Sequence, residues 1–253
     1  MVNVLVIGET CIDRFIYGTV NRISPEAPVP IFVPIETKEN SGMSGNVVEN
    51  LKALADVNIT HITNENKITK SRFVDKKSNH MFLRVDEGEG NLTPLTLTDA
   101  YIDMIKESDG VIISDYNKGF LNERVLREIA YHSHFIIMDT KKQVSPTTIS
   151  NFNFIKLNEG EHKKLKIAYD ITEYLDKFLI TLGSRGASYI DTIYPSPDPK
   201  ETIDVSGAGD TFTSAFTLNY LKTKNIKDSI IFANTMAAIV VSKRGVSTPK
   251  KSR

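Results

Sequence analysis

Cysteine is almost absent from this sequence, which has Cys11 alone among 253 residues. No disulfide can form within the chain, and there is no CxxC pattern to hold zinc or to carry redox chemistry. Such usage is typical of a reducing compartment. Net charge is absent too, because Lys plus Arg and Asp plus Glu both total 31. We therefore expect neither nucleic acid nor a membrane surface as partner, since both require a basic excess.

Long hydrophobic runs are also missing. The longest apolar run, Met236 to Val241, is far too short to span a bilayer. The chain begins with a short apolar run, Val4 to Ile7, that no basic region precedes. We interpret it as a buried strand rather than a signal peptide and expect a cytoplasmic protein.

Two common nucleotide signatures do not occur. The pattern GxxxxGK[ST] is absent, so the chain is not a P-loop enzyme. The first apolar run is followed by Gly8-Glu9-Thr10-Cys11 instead of GxGxxG, which disfavours a Rossmann dehydrogenase.

Short apolar runs alternate with helical patterns along the rest of the chain. The runs predict strands at 4–7, 111–114, 135–138, 154–157 and 178–182. Helices are predicted at 44–55, 97–108, 121–132, 211–222 and 227–243. This alternation is typical of an α/β fold with a mostly parallel sheet, whose ligands bind at the carboxyl ends of the strands.

Two segments interrupt that alternation. Residues 12–35 contain Pro25, Pro28, Pro30 and Pro34, which exclude a helix and indicate extended strands or turns. Residues 71–85 also read as extended, with a turn near 76–79. Together they predict a small β-flap beside the main sheet, formed by about 12–36 and 71–88; a pair of surface loops is the alternative.

A glycine turn ending in aspartate is the strongest chemical signal. Gly207-Ala208-Gly209-Asp210 precedes an amphipathic run, so backbone N–H groups at a helix start are placed to bind phosphate. Asp210 can accept a proton from a hydroxyl at the same place, and phosphoryl transfer needs both functions together. An ordinary Asp at a helix N-terminus after a turn is the structural alternative.

Five motifs, in order along the chain, carry a family resemblance. They are Gly8–Gly18, Arg22–Pro30 (R-I-S-P-E-A-P-V-P), Ser114–Gly119 (S-D-Y-N-K-G), Asn158–Glu161 and Asp204–Asp210 (D-V-S-G-A-G-D). On these residues the chain resembles the ribokinase-like (PfkB) carbohydrate kinases. Within them it is most similar to the heptose-7-phosphate kinases of lipopolysaccharide precursor synthesis, for which Arg22–Pro30 is the most specific match.

The resemblance implies a fold and a reaction. The fold is an α/β, ribokinase-like three-layer sandwich with a mostly parallel central sheet and a small β-lid, as one kinase domain over 1–253. The reaction uses ATP and Mg²⁺ to phosphorylate the anomeric hydroxyl of a heptose 7-phosphate. Asp210 is then the base, and Gly207, Ala208 and Gly209 form the anion hole with it. The lid implies a homodimer.

The same resemblance implies binding residues, each with a structural alternative. Substrate contacts fall on Asp13, Gly42, Asn46, Arg84, Asp115 and Lys118. Asn46 can instead make a local cap, Arg84 can be a solvated charge, and Asp115 and Lys118 can belong to a structural turn. Nucleotide contacts fall on Lys141, Asn158, Gly183, Gly186, Ser206 and Asn234. Asn158 and Glu161 hold Mg²⁺ largely through water, although their spacing also fits a capping box.

The chain departs from the family at several positions. It is short, and the segments 55–70, 162–177 and 192–203 look abbreviated. Met43 stands where the subfamily usually has a second glycine, and Thr140 replaces the proline of its D-P-K. Two other interpretations therefore stay open: a PfkB kinase for another sugar or sugar phosphate, and a degenerate, non-catalytic module that binds a sugar or nucleotide.

Overall fold

The computed structural model describes residues 1–90, 92–197, 207–242 and 248–249. The strands are β1 (Asn3–Gly8), β2 (Thr10–Ile23), β3 (Pro30–Met43), β4 (Asn58–Ile62), β5 (Thr69–Asp75), β6 (Met81–Glu87), β7 (Gly110–Asp115), β8 (Ile136–Thr140), β9 (Phe154–Asn158), β10 (Phe178–Thr181), β11 (Ala187–Tyr189) and β12 (Thr192–Tyr194). The helices are α1 (Ser44–Leu54), α2 (Asp99–Glu107), α3 (Glu123–His132), α4 (Pro146–Ile149), α5 (Glu159–Ala168), α6 (Ala208–Thr223) and α7 (Ile226–Val241). Short 3₁₀ turns cover Thr172–Lys177 and Gly183–Arg185.

Eight strands form the main sheet, in the order β12-β11-β10-β9-β8-β7-β1-β4. The six strands from β10 to β4 are parallel, and β11 and β12 add an antiparallel edge. All five predicted strands are confirmed in this sheet. Residues 55–70, which look abbreviated, still supply β4 at its other edge.

Helices cover both faces of the sheet, because side chains alternate along each strand. In β1, Leu5 and Ile7 point to a core shared with α2, α3, α4 and α5. Val4 and Val6 point to the opposite core, which α1, α6 and α7 complete. The result is the three-layer arrangement that the family resemblance implies.

The predicted helices are confirmed, and their starts follow the caps. Helix α2 begins at Asp99 because the Thr98 hydroxyl accepts from the Tyr101 N–H. The Asn122 side chain does the same for α3. Helix α6 begins at Ala208, three residues before the predicted start, and the residue before it, Gly207, has the left-handed conformation. Among the described residues, no helix is long and apolar enough to cross a membrane.

A second sheet of four strands, called the lid from here on, has the order β3-β2-β5-β6. It confirms the predicted β-flap over two loops, and its strands reach further, to residues 10–43 and 69–87. Pro30 and Pro34 lie in β3, which is an edge strand. Proline is tolerated there because an edge strand has a neighbour on one side only, so the sheet can do without its N–H group. Strand β2 begins two residues after β1 ends and β3 runs directly into α1, so the lid projects from the carboxyl end of the main sheet.

Candidate active site

The first turn of α6 forms the centre of the site. Gly207 has φ 84°, which glycine adopts without Cβ strain. Helical hydrogen bonding begins with the Thr211 N–H, which donates to the Gly207 carbonyl at 2.9 Å. The N–H groups of Ala208, Gly209 and Asp210 precede that ladder and carry the positive end of the helix dipole. This is the anion-binding geometry that the glycine turn predicts.

Asp210 is buried in the first turn of α6, with 6% of its surface exposed. One carboxylate oxygen accepts from Asn46 Nδ2 at 2.7 Å and the other from the Tyr116 hydroxyl at 3.0 Å. Burial and the charge of Asp139 raise the pKa of Asp210 from 3.8 to about 6, against the lowering effect of these two donors and Lys156. The group is therefore an oriented carboxylate that is ionised at neutral pH and more basic than an exposed Asp.

A polar network between α1 and α6 fixes that carboxylate. Asn50 Nδ2 donates to the Asn46 backbone carbonyl at 2.8 Å and to its side-chain oxygen at 3.2 Å. Thr211 Oγ1 donates to Asn50 Oδ1 at 2.7 Å. Asn46 is therefore not a local cap: it lies within α1, buried, and holds the carboxylate of Asp210. Its predicted contact with substrate remains a prediction.

An ion pair lies beneath the first turn of α6. Lys156 Nζ donates to Asp139 Oδ2 at 2.8 Å, and both side chains are buried. Asp139 on β8 and Lys156 on β9 are direct partners in the parallel ladder. Both side chains point to the α6 side of the sheet, as do the apolar residues Ile137 and Phe154 of the same strands.

A cavity of about 480 Å³ opens beside this pair, at the carboxyl ends of β8, β9 and β10. Nine predicted site residues line it: Lys141, Asn158, Gly183, Gly186, Asn234, Gly207, Ala208, Gly209 and Asp210. The far wall is apolar and includes Phe212, Ala237, Ala238 and Val241. The cavity thus joins an anion-binding end to an apolar end, as a nucleotide requires.

The residues at the mouth of the cavity are tied to each other. Asn158 caps α5 by accepting from the Glu161 N–H, and Glu161 Oε2 accepts from the Asn158 N–H, both at 2.8 Å. The other oxygen of Glu161 accepts from Lys141 Nζ at 2.7 Å. The capping box is therefore present, and Lys141 is not a free surface lysine.

The turn that follows β10 forms one wall of the cavity, and its backbone conformation requires glycine at two positions. Gly186 has φ 93°, and a Cβ there would lie 2.2 Å from the Tyr194 carbonyl oxygen. Gly183 has φ 63° and open space beside it. Asn234 on α7 donates to the same Tyr194 carbonyl at 2.8 Å, which ties α7 to the edge of the sheet. Ser206, the remaining predicted nucleotide contact, lies outside the described residues.

Asp13 and Gly42 are diagonal neighbours in the β2–β3 pair of the lid, where Gly42 pairs with Cys11 and Asp13 with Asn40. A Cβ on Gly42 would lie 2.4 Å from Asp13 Oδ2, so glycine makes room for that carboxylate. Asp13 Oδ1 accepts from Arg72 Nη1 at 2.5 Å. Arg72, which the sequence reasoning missed, is the direct cross-strand partner of Arg84 and contacts the Phe15 ring.

Three predicted substrate contacts have other partners here. Arg84 donates twice to the Asp86 carboxylate, at 2.7 and 2.6 Å. Lys118 Nζ lies 2.5 Å from Glu89 Oε2. Asp115 is fully buried and accepts from Thr140 Oγ1, the Asn117 N–H and Lys142 Nζ, which is the structural turn given as its alternative role. For all three, contact with a substrate stays a prediction.

Met43 is strained. It precedes α1 with φ 55° and ψ −132°, a conformation that favours glycine. Its side chain is buried with Cys11 and Ile68 and packs near Tyr116, where the lid joins the main sheet. Burial, with the charge of Asp13, raises the pKa of the Cys11 thiol to about 12, so this cysteine is a packing residue.

The comparisons with known proteins identify the family of this chain. Residues 55–253 match the family model described as pfkB family carbohydrate kinase. The chain is 31% identical to "Bifunctional protein HldE" of Helicobacter acinonychis (strain Sheeba), over 97% of this chain and 64% of that protein. It is 32% identical to the protein of that name from a Nitratiruptor species, over 97% and 62%. The chain thus spans less than two thirds of the length of these relatives.

Solved structures show the same fold at low identity. Arabidopsis thaliana ribokinase complexed with ribose and ATP superposes with a TM-score of 0.72 at 14% identity, over 97% of this chain and 94% of that one. Methanocaldococcus jannaschii nucleoside kinase gives a TM-score of 0.72 at 18% identity, over 99% and 95%. The fold is ribokinase-like, with a large mostly parallel sheet and a smaller second sheet. On the family match and the relatives together, the chain belongs to the pfkB family of carbohydrate kinases.

Proposed function

We propose that this kinase transfers the γ-phosphoryl group of ATP to the anomeric hydroxyl of a heptose 7-phosphate, giving the 1,7-bisphosphate. The observation that carries the reaction is Asp210, a buried carboxylate held by two donors beside an anion-binding helix start. The similarity of Arg22–Pro30 to heptose-7-phosphate kinases, together with the HldE relatives, supports the choice of sugar.

The chemistry needs one base and one anion site. Asp210 accepts the proton of the sugar hydroxyl while the hydroxyl oxygen forms a bond to the γ-phosphorus. The bond from that phosphorus to the β-phosphate oxygen breaks, and its electron pair leaves with ADP. The N–H groups of Ala208, Gly209 and Asp210 stabilise the charge on the phosphoryl oxygens during the transfer.

The lining of the 480 Å³ cavity favours one orientation of ATP. We place its phosphates at the first turn of α6 and its base against Ala237, Ala238 and Val241. The contacts of Gly183 and Gly186 then fall on the nucleotide, because both glycines line the same cavity.

Mg²⁺ fits the site through water rather than through a protein cage. Among the described residues, no three His, Cys, Asp or Glu side chains are grouped to ligate a metal. Both oxygens of Glu161 already accept hydrogen bonds, from Lys141 and the Asn158 N–H. We propose that Asn158 and Glu161 hold the water shell of a magnesium ion, which would neutralise charge on the phosphates.

A panel of sugars assayed with ATP and Mg²⁺ tests the proposal. We expect ADP release with heptose 7-phosphate, and the loss of about 10²–10⁴-fold in kcat for Asp210→Asn. A strong preference for an unphosphorylated sugar, or for another sugar phosphate, would replace heptose with that substrate. Binding of ATP and sugar without turnover would contradict the kinase reaction.

We also propose a homodimer that pairs through the lid, in the cytoplasm, where ATP is available. Apolar side chains stay exposed on the lid and its connecting turns: Ile23, Val29, Val33, Ile35, Met81, Phe82, Leu83 and Val85. The edges β3 and β6 also carry unpaired backbone groups. Sedimentation at micromolar concentration tests this: we expect a dimer, and a monomer for Val33→Glu with Leu83→Lys. A wild-type protein that sediments only as monomer would contradict it.

A further inference from the structure

Lys156 is a buried cation with no role in the reaction as proposed above. It is 4% exposed, yet it lines the cavity. Among the described residues its ammonium has one hydrogen-bond partner, Asp139, which leaves two of its three N–H groups for a ligand. A buried lysine is costly unless its charge is paired and its N–H groups are satisfied, and Asp139 accounts for one of the three.

The ammonium also lies directly against the first turn of α6. A Cβ on Gly209 would be 2.7 Å from Lys156 Nζ, so glycine is what allows this approach. A helix N-terminus carries positive partial charge and therefore repels a cation. Two positive features converge on one point of the cavity, which is the arrangement for binding an anion.

We propose that Lys156 is a catalytic residue: its ammonium binds oxygens of the γ-phosphoryl group, opposite the N–H groups of Gly209 and Asp210. This inference rests on the proposed ATP-dependent transfer. Lys156 supplies a point charge where negative charge gathers as the bond to ADP breaks. Asp139 is the positioning residue, because its carboxylate holds the ammonium toward the cavity at 2.8 Å.

Three variants separate this role from a counter-ion role: Lys156→Met, Asp139→Asn, and the double variant, which has no unpaired buried charge. All are measured at pH 8, where Asp210 is ionised. We expect Lys156→Met and the double variant to lose about 10²–10³-fold in kcat. Calorimetric titration should show ATP binding weakened about tenfold or more, since a charge-assisted hydrogen bond is lost, with ADP binding changed less than about threefold.

The double variant decides the question even where Lys156→Met fails to fold. If it folds stably, stays inactive and has lost its preference for ATP over ADP, the inference is supported. If it recovers wild-type kcat and ATP affinity, Lys156 is only a counter-ion and the inference is overturned, while the proposed function stands. If the wild-type protein shows no turnover with any sugar, the proposed function fails, and the comparison of ATP with ADP affinity still tests Lys156.

Discussion

Replacing Asp210 with Asn should lower kcat by about 10²–10⁴-fold and stabilise the fold. Burial and the Asp139 charge raise the pKa of Asp210 from 3.8 to about 6. The folded state therefore binds the proton more tightly than the unfolded state does. Between about pH 4 and pH 6 the unfolded chain has lost this proton while the folded protein still holds it, so the Asp210 contribution to stability falls as the pH rises.

The size of the effect follows from the shift. About two pKa units correspond to roughly 3 kcal/mol at pH 8, at 1.36 kcal/mol per unit. At pH 4 the same relation gives only about 0.5 kcal/mol, because Asp210 is then protonated in the folded state. Asparagine fits the site, since its Oδ1 can accept from Asn46 while its Nδ2 donates to the Tyr116 hydroxyl. The variant should be up to about 3 kcal/mol more stable at pH 8, or roughly 5–10 °C in Tm.

Thermal unfolding of both proteins without ligands, from pH 4 to pH 8, measures this difference directly. Asp170→Asn is the matched control. Asp170 is exposed, and hydrogen bonds from Thr172 hold its pKa below its usual value, so its removal should give no gain at pH 8. If Asp210→Asn is no more stable than wild type at pH 8, or if the two curves run parallel across the range, the stated environment of Asp210 is wrong.

Three further predictions concern Gly42, Tyr116 and Met43. Gly42→Ala should lower kcat/KM for the sugar by about 10²-fold with little change in KM for ATP, measured by steady-state kinetics, because the new Cβ displaces the Asp13 carboxylate. Tyr116→Phe removes a donor that lowers the pKa of Asp210, so the acidic limb of the pH profile of kcat/KM should move to higher pH, with activity at pH 8 kept within about tenfold. Met43→Gly should be about 1 kcal/mol more stable than Met43→Ala in urea unfolding. Both variants lose the buried side chain, but only glycine adopts the positive φ of this position without strain. The opposite order of stability would show that no strain is stored at Met43.

Local signals predicted much of the molecule. The glycine turn before Asp210 and the capping box of Asn158 and Glu161 are encoded within four residues each, and both stand in the structure as the sequence indicates. The prolines of residues 25–34 likewise predicted an edge strand and its turn. These features need no knowledge of which elements are neighbours in space.

Long-range pairings were not predictable in this way. Lys156 lies in an apolar strand that gives no sign of a site, and only the parallel register of β8 and β9 brings it opposite Asp139. Tyr116 reaches Asp210 across 94 positions of sequence. Arg72 reaches Asp13 through the β2–β5 pairing, while Arg84, the residue that the sequence favoured, is engaged by Asp86. Such contacts depend on topology, which local patterns do not specify.

Strand β3 of the lid runs directly into α1, and this connection links the lid to Asp210. Gly42, beside Asp13, is four residues from Asn46, whose amide holds Asp210. We therefore expect a displacement of the lid strand to change the hydrogen bond between Asn46 and the Asp210 carboxylate. Met43, with its unfavourable backbone conformation, lies between Gly42 and α1, so the strained residue is part of the connection between the lid and the residue that holds Asp210.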